Sequence, residues 1–211
     1  MNSEERCGFT MSFLFSIDKA VFIFLNHSLA NPVFDVIMPF VTEANHWKIP
    51  LFLAWLSLMI FGGKKGRIAG LLAVVIVTMS DQLSSAVIKP WVRRLRPCDP
   101  KAIVEGGRFL IGLKESFSFP SSHAANNAAI ATLFSVKYRR YTAVFIAIAA
   151  TVAYSRIYVG VHYPSDVLGG IFVGVLCATC ILGIERGVQV FWRKKRESDT
   201  KALKEGSTEK A

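Results

Sequence analysis

Charged side chains are scarce in this sequence, and acidic ones are the scarcer kind. Asp, Glu, Lys and Arg together make up 19% of the 211 residues, whereas an average soluble domain carries about 25%. Hydrophobic residues account for 52%, and the mean hydropathy is +0.40. The composition therefore indicates a membrane protein rather than an ordinary soluble one, and the length indicates a single domain.

Cysteine is also rare, and the chain begins without a basic segment. Of the four cysteines, Cys177 and Cys180 lie within one apolar run. They are interpreted as packing residues rather than as a disulfide framework or a metal pair. The opening residues lack the basic region that starts a signal peptide. We therefore expect the first apolar segment to be retained.

Six apolar segments run along the chain and predict an all-α integral membrane bundle of about six transmembrane helices. They fall near residues 17–42, 47–63, 67–89, 121–137, 141–158 and 164–191. Only the last is free of charge over the ~18 residues that a spanning helix needs. The first is expected to break near Asn31 and Pro32, because proline disfavours a continuous helix. Residues 1–191 are predicted to form the membrane domain, and 192–211 a basic and polar tail.

Basic residues are concentrated in every second connection between these segments. The stretches are GGKKGR at 62–67, KYRR at 137–140 and WRKKR at 192–196, within a net charge of +10. The positive-inside rule makes them cytoplasmic and places both termini inside. The last of them follows an apolar run directly, so the expected partners are membrane lipids and not nucleic acid. The oligomeric state is left open.

One basic stretch breaks this pattern on the predicted outer face. KPWVRRLRP at 89–97 carries Lys89, Arg93, Arg94 and Arg96. Cations at the end of an apolar helix are costly unless they are paired. Their presence on this face therefore predicts an anionic ligand.

Two further polar segments reach the same face, PSSH at 120–123 and SRIYVGVHYPSD at 155–166. Arg156 joins Lys89 and Arg96 as a third cation with no acidic partner nearby in the sequence, and guanidinium forks match phosphate oxygens. Ser121 is a candidate N-cap for a helix whose free N–H groups favour an anion. Together these features predict a phosphate site.

Two histidines lie in the same segments, and their surroundings suggest chemistry beyond binding. His162 is followed four residues later by Asp166. A carboxylate at that spacing can orient the imidazole and stabilise its cation, which favours His162 as a nucleophile. His123, on another predicted helix, is then placed to protonate the leaving oxygen.

Three ordered motifs carry a resemblance to a known family. They are Lys89 with Arg96-Pro97, then Pro120-Ser121-Ser122-His123, then Ser155-Arg156 with His162 and Asp166. They resemble the signature of the type 2 phosphatidic-acid phosphatase superfamily, and the spacing of the first and third motifs matches fully. The one departure is Ser122, where the family usually has glycine. Its backbone N–H is retained, although serine restricts the backbone more than glycine does.

The resemblance implies a metal-independent phosphatase with no cofactor. It implies that His162 forms a phosphohistidine and that His123 is the acid for the leaving group. It further implies a set of residues that hold the phosphate oxygens, namely Lys89, Arg96, Ser121, Ser122 through its N–H, and Arg156.

Several features outside the motifs are left with alternatives. Asp81 is expected to hydrogen-bond within the bundle, to Gln82, Ser84 or Ser85, rather than to contact phosphate. Arg93 and Arg94 are expected to meet a second phosphate or headgroup, or else to face solvent. Residues 98–119 either lie over the site and select substrates or form an inert connector.

The function favoured by these residues is removal of phosphate from a membrane lipid phosphate or diphosphate at the outer, periplasmic or extracellular, face of the inner cell membrane. Undecaprenyl diphosphate is the preferred candidate, with phosphatidylglycerophosphate, phosphatidic acid and lipid A as alternatives. A transporter or binding protein for anionic lipid would need only the cations, so the histidines favour the enzyme. A haloperoxidase-like protein would share the motifs, but the apolar segments argue against it.

Overall fold

The computed structural model describes the backbone of residues 3–208 and the side chains of residues 13–200, and this part of the chain contains helices and no strands. The helices are α1 (Ser3–Ile23), α2 (Pro32–Thr42), α3 (Ala44–Phe61), α4 (Gly63–Gln82), α5 (Lys89–Val92), α6 (Ser122–Lys137), α7 (Thr142–Tyr158) and α8 (Pro164–Thr208). Short π-helical segments extend α1 over Phe24–Ser28 and join α4 to α5 over Leu83–Ile88. The predicted all-α class is confirmed.

Three helical stretches are long and apolar enough to cross a membrane. They are Gly63–Val92, Arg139–Tyr158 and Pro164–Thr200. The pair Phe13–Ser28 and Pro32–Thr42 makes a fourth if a bend of 115° lies within one span. This bend falls at the break predicted near Asn31 and Pro32. The count of six spans remains a prediction.

Helix α8 runs without interruption to Thr208, past the predicted domain boundary after residue 191. The division into a membrane domain and a tail at that point also remains a prediction. Cys98, Cys177 and Cys180 are free thiols. Cys177 is buried in α8, as predicted for a packing residue, whereas Cys180 is exposed and does not pack inside the described bundle.

Helix α6 lies inside the bundle and contacts α4, α7 and α8. Its packing against α8 is close because glycines of α8 face its backbone. A Cβ atom added at Gly170 would lie 2.4 Å from the Ser121 carbonyl oxygen, and one added at Gly174 would lie 2.0 Å from that of Ala125. This contact places the first turn of α8 beside the first turn of α6, where Ser121 N donates to the Asp166 carbonyl oxygen at 2.9 Å.

The close packing predicts that Gly174→Ala destabilises the protein. A methyl group 2.0 Å from a backbone oxygen requires the helices to separate, and overpacking of this kind costs about 1–3 kcal/mol. Gly183→Ala is the matched control, because nothing lies within 4 Å of its added Cβ. Thermal unfolding in detergent should show a lower Tm only for Gly174→Ala. Equal Tm values would show that the two helices are not packed this closely.

The long connection between α5 and α6 is fixed to the rest of the molecule at several points. The Asn26 side chain accepts a hydrogen bond from the Arg108 N–H and donates one to the Arg108 carbonyl oxygen. Leu110 N donates to the Val159 carbonyl oxygen. Gly160, at a φ of +87°, lies so close to Arg108 that a Cβ there would meet its oxygen at 2.2 Å. The connection is therefore held against the turn between α7 and α8.

Candidate functional site

The three motifs meet at one end of the bundle around a polar cavity of about 520 Å³. The end of the α4–α5 stretch, the first turn of α6, the end of α7 and the turn after it all reach this cavity. Its lining residues are Ala44, Asp81, Ser85, Lys89, Arg96, Lys114, Ser116, Ser122, His123, Asn126, Asn127, Arg156 and His162. Six of the eight predicted site residues thus line one space, and the other two, Ser121 and Asp166, lie outside its lining.

His162 lies in the turn between α7 and α8 and is buried. Its Nε2 atom is 2.9 Å from Nη1 of Arg96. Because a guanidinium only donates hydrogen bonds, Nε2 accepts, and the proton of the neutral ring is assigned to Nδ1. Burial, followed by the charges of Arg96, Arg156 and Lys89, holds the pKa of His162 well below its usual value. The ring is therefore neutral, with a lone pair on Nε2, which is the form that can attack phosphorus.

Asp166 lies behind His162, with its side chain fully buried. Its Oδ2 atom is 3.6 Å from His162 Nδ1 and accepts a hydrogen bond from Tyr163 N at 2.9 Å. The His162 Nδ1 atom has no hydrogen-bond partner among the described residues. Asp166 thus approaches the ring on the side opposite Arg96, at a distance slightly beyond a hydrogen bond.

Arg94 bridges two carboxylates, and both alternatives predicted for it are wrong. Its Nη1 atom donates to Asp166 Oδ1 at 2.8 Å, and its Nη2 atom pairs with Asp18 on α1 at 2.5 Å. Asp18 also accepts from the N–H and hydroxyl of Ser165. Arg94 is therefore partly exposed but does not line the polar cavity, and its guanidinium contacts the rear of the His162 and Asp166 pair. Arg93, in contrast, is exposed, and its Nε atom donates to the Pro90 carbonyl oxygen.

The cations that line the cavity are held mainly by neutral oxygens. Arg96 donates through Nε to the carbonyl and hydroxyl oxygens of Ser116, and through Nη1 to the Val161 carbonyl oxygen. Arg156 donates to the backbone and hydroxyl oxygens of Thr42, and its buried Nε has no partner among the described residues. Burial lowers the pKa of Arg96. Positive charge held in this way is balanced best by a bound anion.

The first turn of α6 forms another wall of the cavity. Ser121 occupies the N-cap position as predicted, but its hydroxyl makes no capping bond, is buried and has no partner among the described residues. Ser122 lines the cavity and its hydroxyl lies 3.0 Å from that of Ser85. His123 also lines it, and its carbonyl oxygen accepts from Asn127 Nδ2. The N–H groups of this turn have no intrahelical acceptor, so the wall suits an anion.

Several lining residues were not among the predicted site residues. Asp81 lines the cavity and accepts a hydrogen bond from Asn126 of α6 at 3.2 Å. The predicted hydrogen bond within the bundle is therefore present, but its partner is Asn126 and not Gln82, Ser84 or Ser85. Lys114 and Ser116 come from the long connection. The connection has no regular structure there, so no periodic pattern in the sequence indicated that both side chains reach the site. The connection therefore forms part of the site, in keeping with the first of the two predicted alternatives.

An apolar cavity of about 700 Å³ adjoins the polar one, and Asn127 lines both. Its walls come from α3, α4, α6 and α7 and include Leu51, Trp55, Val77 and Phe134. The polar cavity could therefore hold the polar head of an amphipathic molecule while the apolar cavity holds its hydrocarbon chain.

Comparison with known proteins gives the same family as the motifs. The pattern of the PAP2 superfamily matches residues 70–188. A lipid A 4'-phosphatase from Bacteroides thetaiotaomicron is 29% identical over 170 residues, covering 78% of this chain and 75% of that protein. Undecaprenyl-diphosphatase BcrC from Bacillus subtilis is 27% identical, covering 77% of this chain and 79% of that protein. The crystal structure of a transmembrane PAP2-type phosphatidylglycerolphosphate phosphatase from Bacillus subtilis matches with a TM-score of 0.63, at 26% identity, over 83% of this chain and 87% of the other.

Proposed function

The chain belongs to the PAP2 superfamily and is a membrane lipid phosphatase of that type, and from this premise we propose how and where it acts. It removes phosphate from a lipid phosphate or diphosphate without a metal ion, through a phosphohistidine. The site opens on the outer face of the inner cell membrane, and both termini are cytoplasmic. The observation that supports this most is a neutral, buried His162 whose Nε2 meets a cation-lined cavity while Asp166 lies behind its Nδ1.

In the first step, Nε2 of His162 attacks phosphorus in line with the leaving oxygen. An N–P bond forms and the bond from phosphorus to the leaving oxygen breaks. His123 is neutral in the free site, takes up a proton from solvent when the anionic phosphate binds beside it, and gives that proton to the leaving oxygen. Lys89, Arg96 and Arg156 hold the remaining phosphate oxygens. Because the transition state is loose, with charge spread over the three equatorial oxygens and little covalent chemistry left to the protein, positioning and fixed positive charge supply most of the rate.

In the second step, water attacks the phosphohistidine. His123, now neutral, takes a proton from the water, the N–P bond breaks, and inorganic phosphate leaves. His162 returns to the neutral state with the proton still on Nδ1. Asp166, 3.6 Å from that nitrogen, stabilises the positive charge that the ring carries while it is phosphorylated.

Undecaprenyl diphosphate is the proposed substrate, with phosphatidylglycerophosphate, phosphatidic acid and lipid A as alternatives. The apolar cavity beside the polar one supports a substrate with a long hydrocarbon chain. Among the relatives, BcrC is named for undecaprenyl diphosphate and the Bacteroides protein for lipid A. A transporter or binding protein for anionic lipid is the non-enzyme alternative. Binding alone would need only the cations, so this alternative does not explain the arrangement of His162 and His123.

The test is release of inorganic phosphate by the detergent-purified protein with EDTA present. The four lipids are offered in parallel at matched concentration, and the same preparation is assayed with added Mg²⁺. We expect release in EDTA at the rate seen with Mg²⁺, fastest from undecaprenyl diphosphate. Activity that disappears in EDTA and returns with metal would overturn the metal-free mechanism. Tight binding of all four lipids with no release from any would favour the transporter or binding alternative.

A further inference from the structure

The charges that line the polar cavity exceed what one phosphate group needs. The charged lining residues are Asp81, Lys89, Arg96, Lys114 and Arg156. With both histidines neutral, four cations and one carboxylate give a formal charge of +3. A phosphate monoester carries about −1.5 to −2 at pH 7. The three cations of the sequence motifs, with Asp81 included, already match that charge, so Lys114 is the surplus.

Lys114 has no acidic partner that would explain its position. No salt bridge to it occurs in the part of the chain with described side chains. Glu43, an acidic group in its surroundings, is exposed and accepts from the backbone and side-chain nitrogens of Asn45. Like charges in one cavity repel unless an anion lies between them, and the described residues supply no such anion for Lys114.

The backbone around Lys114 directs it to the cavity. Gly112, at a φ of +79°, turns the chain, and in the irregular stretch that follows Lys114 and Ser116 both lie on the cavity wall. Ser116 holds Arg96 through two hydrogen bonds. Burial and the charges of Arg156 and Arg96 lower the pKa of Lys114, which agrees with an ammonium group that faces these two cations. The residue itself is exposed overall, so it lies at the mouth, where the rest of the substrate leaves the site.

We propose that Lys114 binds a second anionic group of the substrate, adjacent to the reacting phosphate, and thereby selects lipid diphosphates over lipid monophosphates. The proposal rests on the proposed function, since it concerns the same site. The reacting phosphate is held by Lys89, Arg96 and Arg156. The phosphate that remains on the lipid after cleavage pairs with Lys114 at the mouth of the cavity.

The experiment compares a polyprenyl diphosphate with the polyprenyl monophosphate of the same chain length. Phosphate release is measured for the parent protein, Lys114→Gln, Lys114→Arg and Lys101→Gln. Lys101 is the matched control, an exposed lysine on the same connection that does not line the cavity. Loss of one charge-assisted contact should lower kcat/KM for the diphosphate by about 10- to 100-fold in Lys114→Gln. The monophosphate should change by less than about threefold, because Lys89, Arg96 and Arg156 hold its single phosphate and an exposed charge at the mouth of the cavity adds little.

The arginine variant and the control variant test whether the positive charge at position 114 is what matters. Lys114→Arg should recover most of the diphosphate activity, and Lys101→Gln should behave as the parent. Equal losses on both substrates, or no loss on either, would overturn the proposal. Binding of the same two lipids is also measured in a His162→Ala background with and without Lys114→Gln. If the parent hydrolyses neither lipid, the proposed function fails, while a Kd increase confined to the diphosphate would still support Lys114 as its ligand.

Discussion

His162→Ala is expected to release phosphate at least about 10⁴-fold more slowly than the parent protein, which is the scale seen when a covalent nucleophile is removed. The imidazole is buried between Arg96 and Asp166. A water molecule in the space that the variant leaves would not be held in line with the phosphate as the imidazole is, so it cannot replace the nucleophile. Binding should survive, because the cations of the cavity remain. The measurement is a full kinetic comparison on the best substrate, with Kd for the intact lipid determined separately.

His27→Ala serves as the matched control, since His27 is exposed and outside the polar cavity. It should retain the parent rate. Rapid quenching of the parent with a substrate labelled in the reacting phosphate should also trap labelled protein that is stable to base and lost in acid. His162→Ala should trap none. Residual turnover within about tenfold of the parent would exclude a nucleophilic role for His162.

The motif residues could be placed in one site from sequence because the topology ties each of them to a helix end. Lys89 ends one apolar segment and His123 begins another, while Arg156 lies in the last turn of a third and His162 in the turn that follows it. Apolar segments that alternate across a membrane must return these ends to the same face. The structure agrees, since all four residues line one cavity. Helix bounds were less accessible, since α1 begins at Ser3 rather than near residue 17 and α8 continues to Thr208, past the predicted boundary after residue 191.

The residues behind the site could not be found in this way. Asp18 and Arg94 are 76 residues apart, and nothing in the periodicity around either one indicates its partner. Asp18 lies near the start of the first apolar segment, and no role was predicted for it. Lys114 sits in a connection without regular structure, where side-chain direction depends on how the backbone is anchored. Such pairings are set by tertiary packing, which local pattern does not encode.

The Asp18, Arg94 and Asp166 arrangement gives Asp166 a fixed position and charge. Arg94 donates to Oδ1 of Asp166, so Oδ2 is left to face His162 and Tyr163 N. Asp18 holds the other end of the guanidinium, and the Tyr163 ring lies 4.2 Å from its central carbon. A buried carboxylate keeps its charge only with such a partner. Arg94 is therefore expected to act as a positioning residue, through Asp166, without touching the substrate.

Arg94→Gln is expected to lower kcat by about 10²- to 10³-fold with little change in KM. Removal of one partner of a buried ion pair costs about 3–5 kcal/mol, and part of that loss falls on the orientation of Asp166 in the transition state. KM should hold because Arg94 does not line the cavity. Arg93→Gln is the matched control, with the same change of charge one residue earlier at an exposed position, and should keep the parent kcat.

A merely structural role for Arg94 would give a different result, because it would lower Tm and the folded fraction but leave kcat per folded molecule intact. The kinetics are therefore normalised to folded protein, and Arg94→Lys is included because it restores a cation that can pair with Asp166 but not bridge both carboxylates as a fork does. Its kcat should fall between those of the parent and Arg94→Gln. Asp18→Asn should lose less than Arg94→Gln, since the guanidinium still reaches Asp166 directly. If Arg94→Gln and Arg93→Gln have the same kcat per folded molecule, Asp166 does not depend on this bridge.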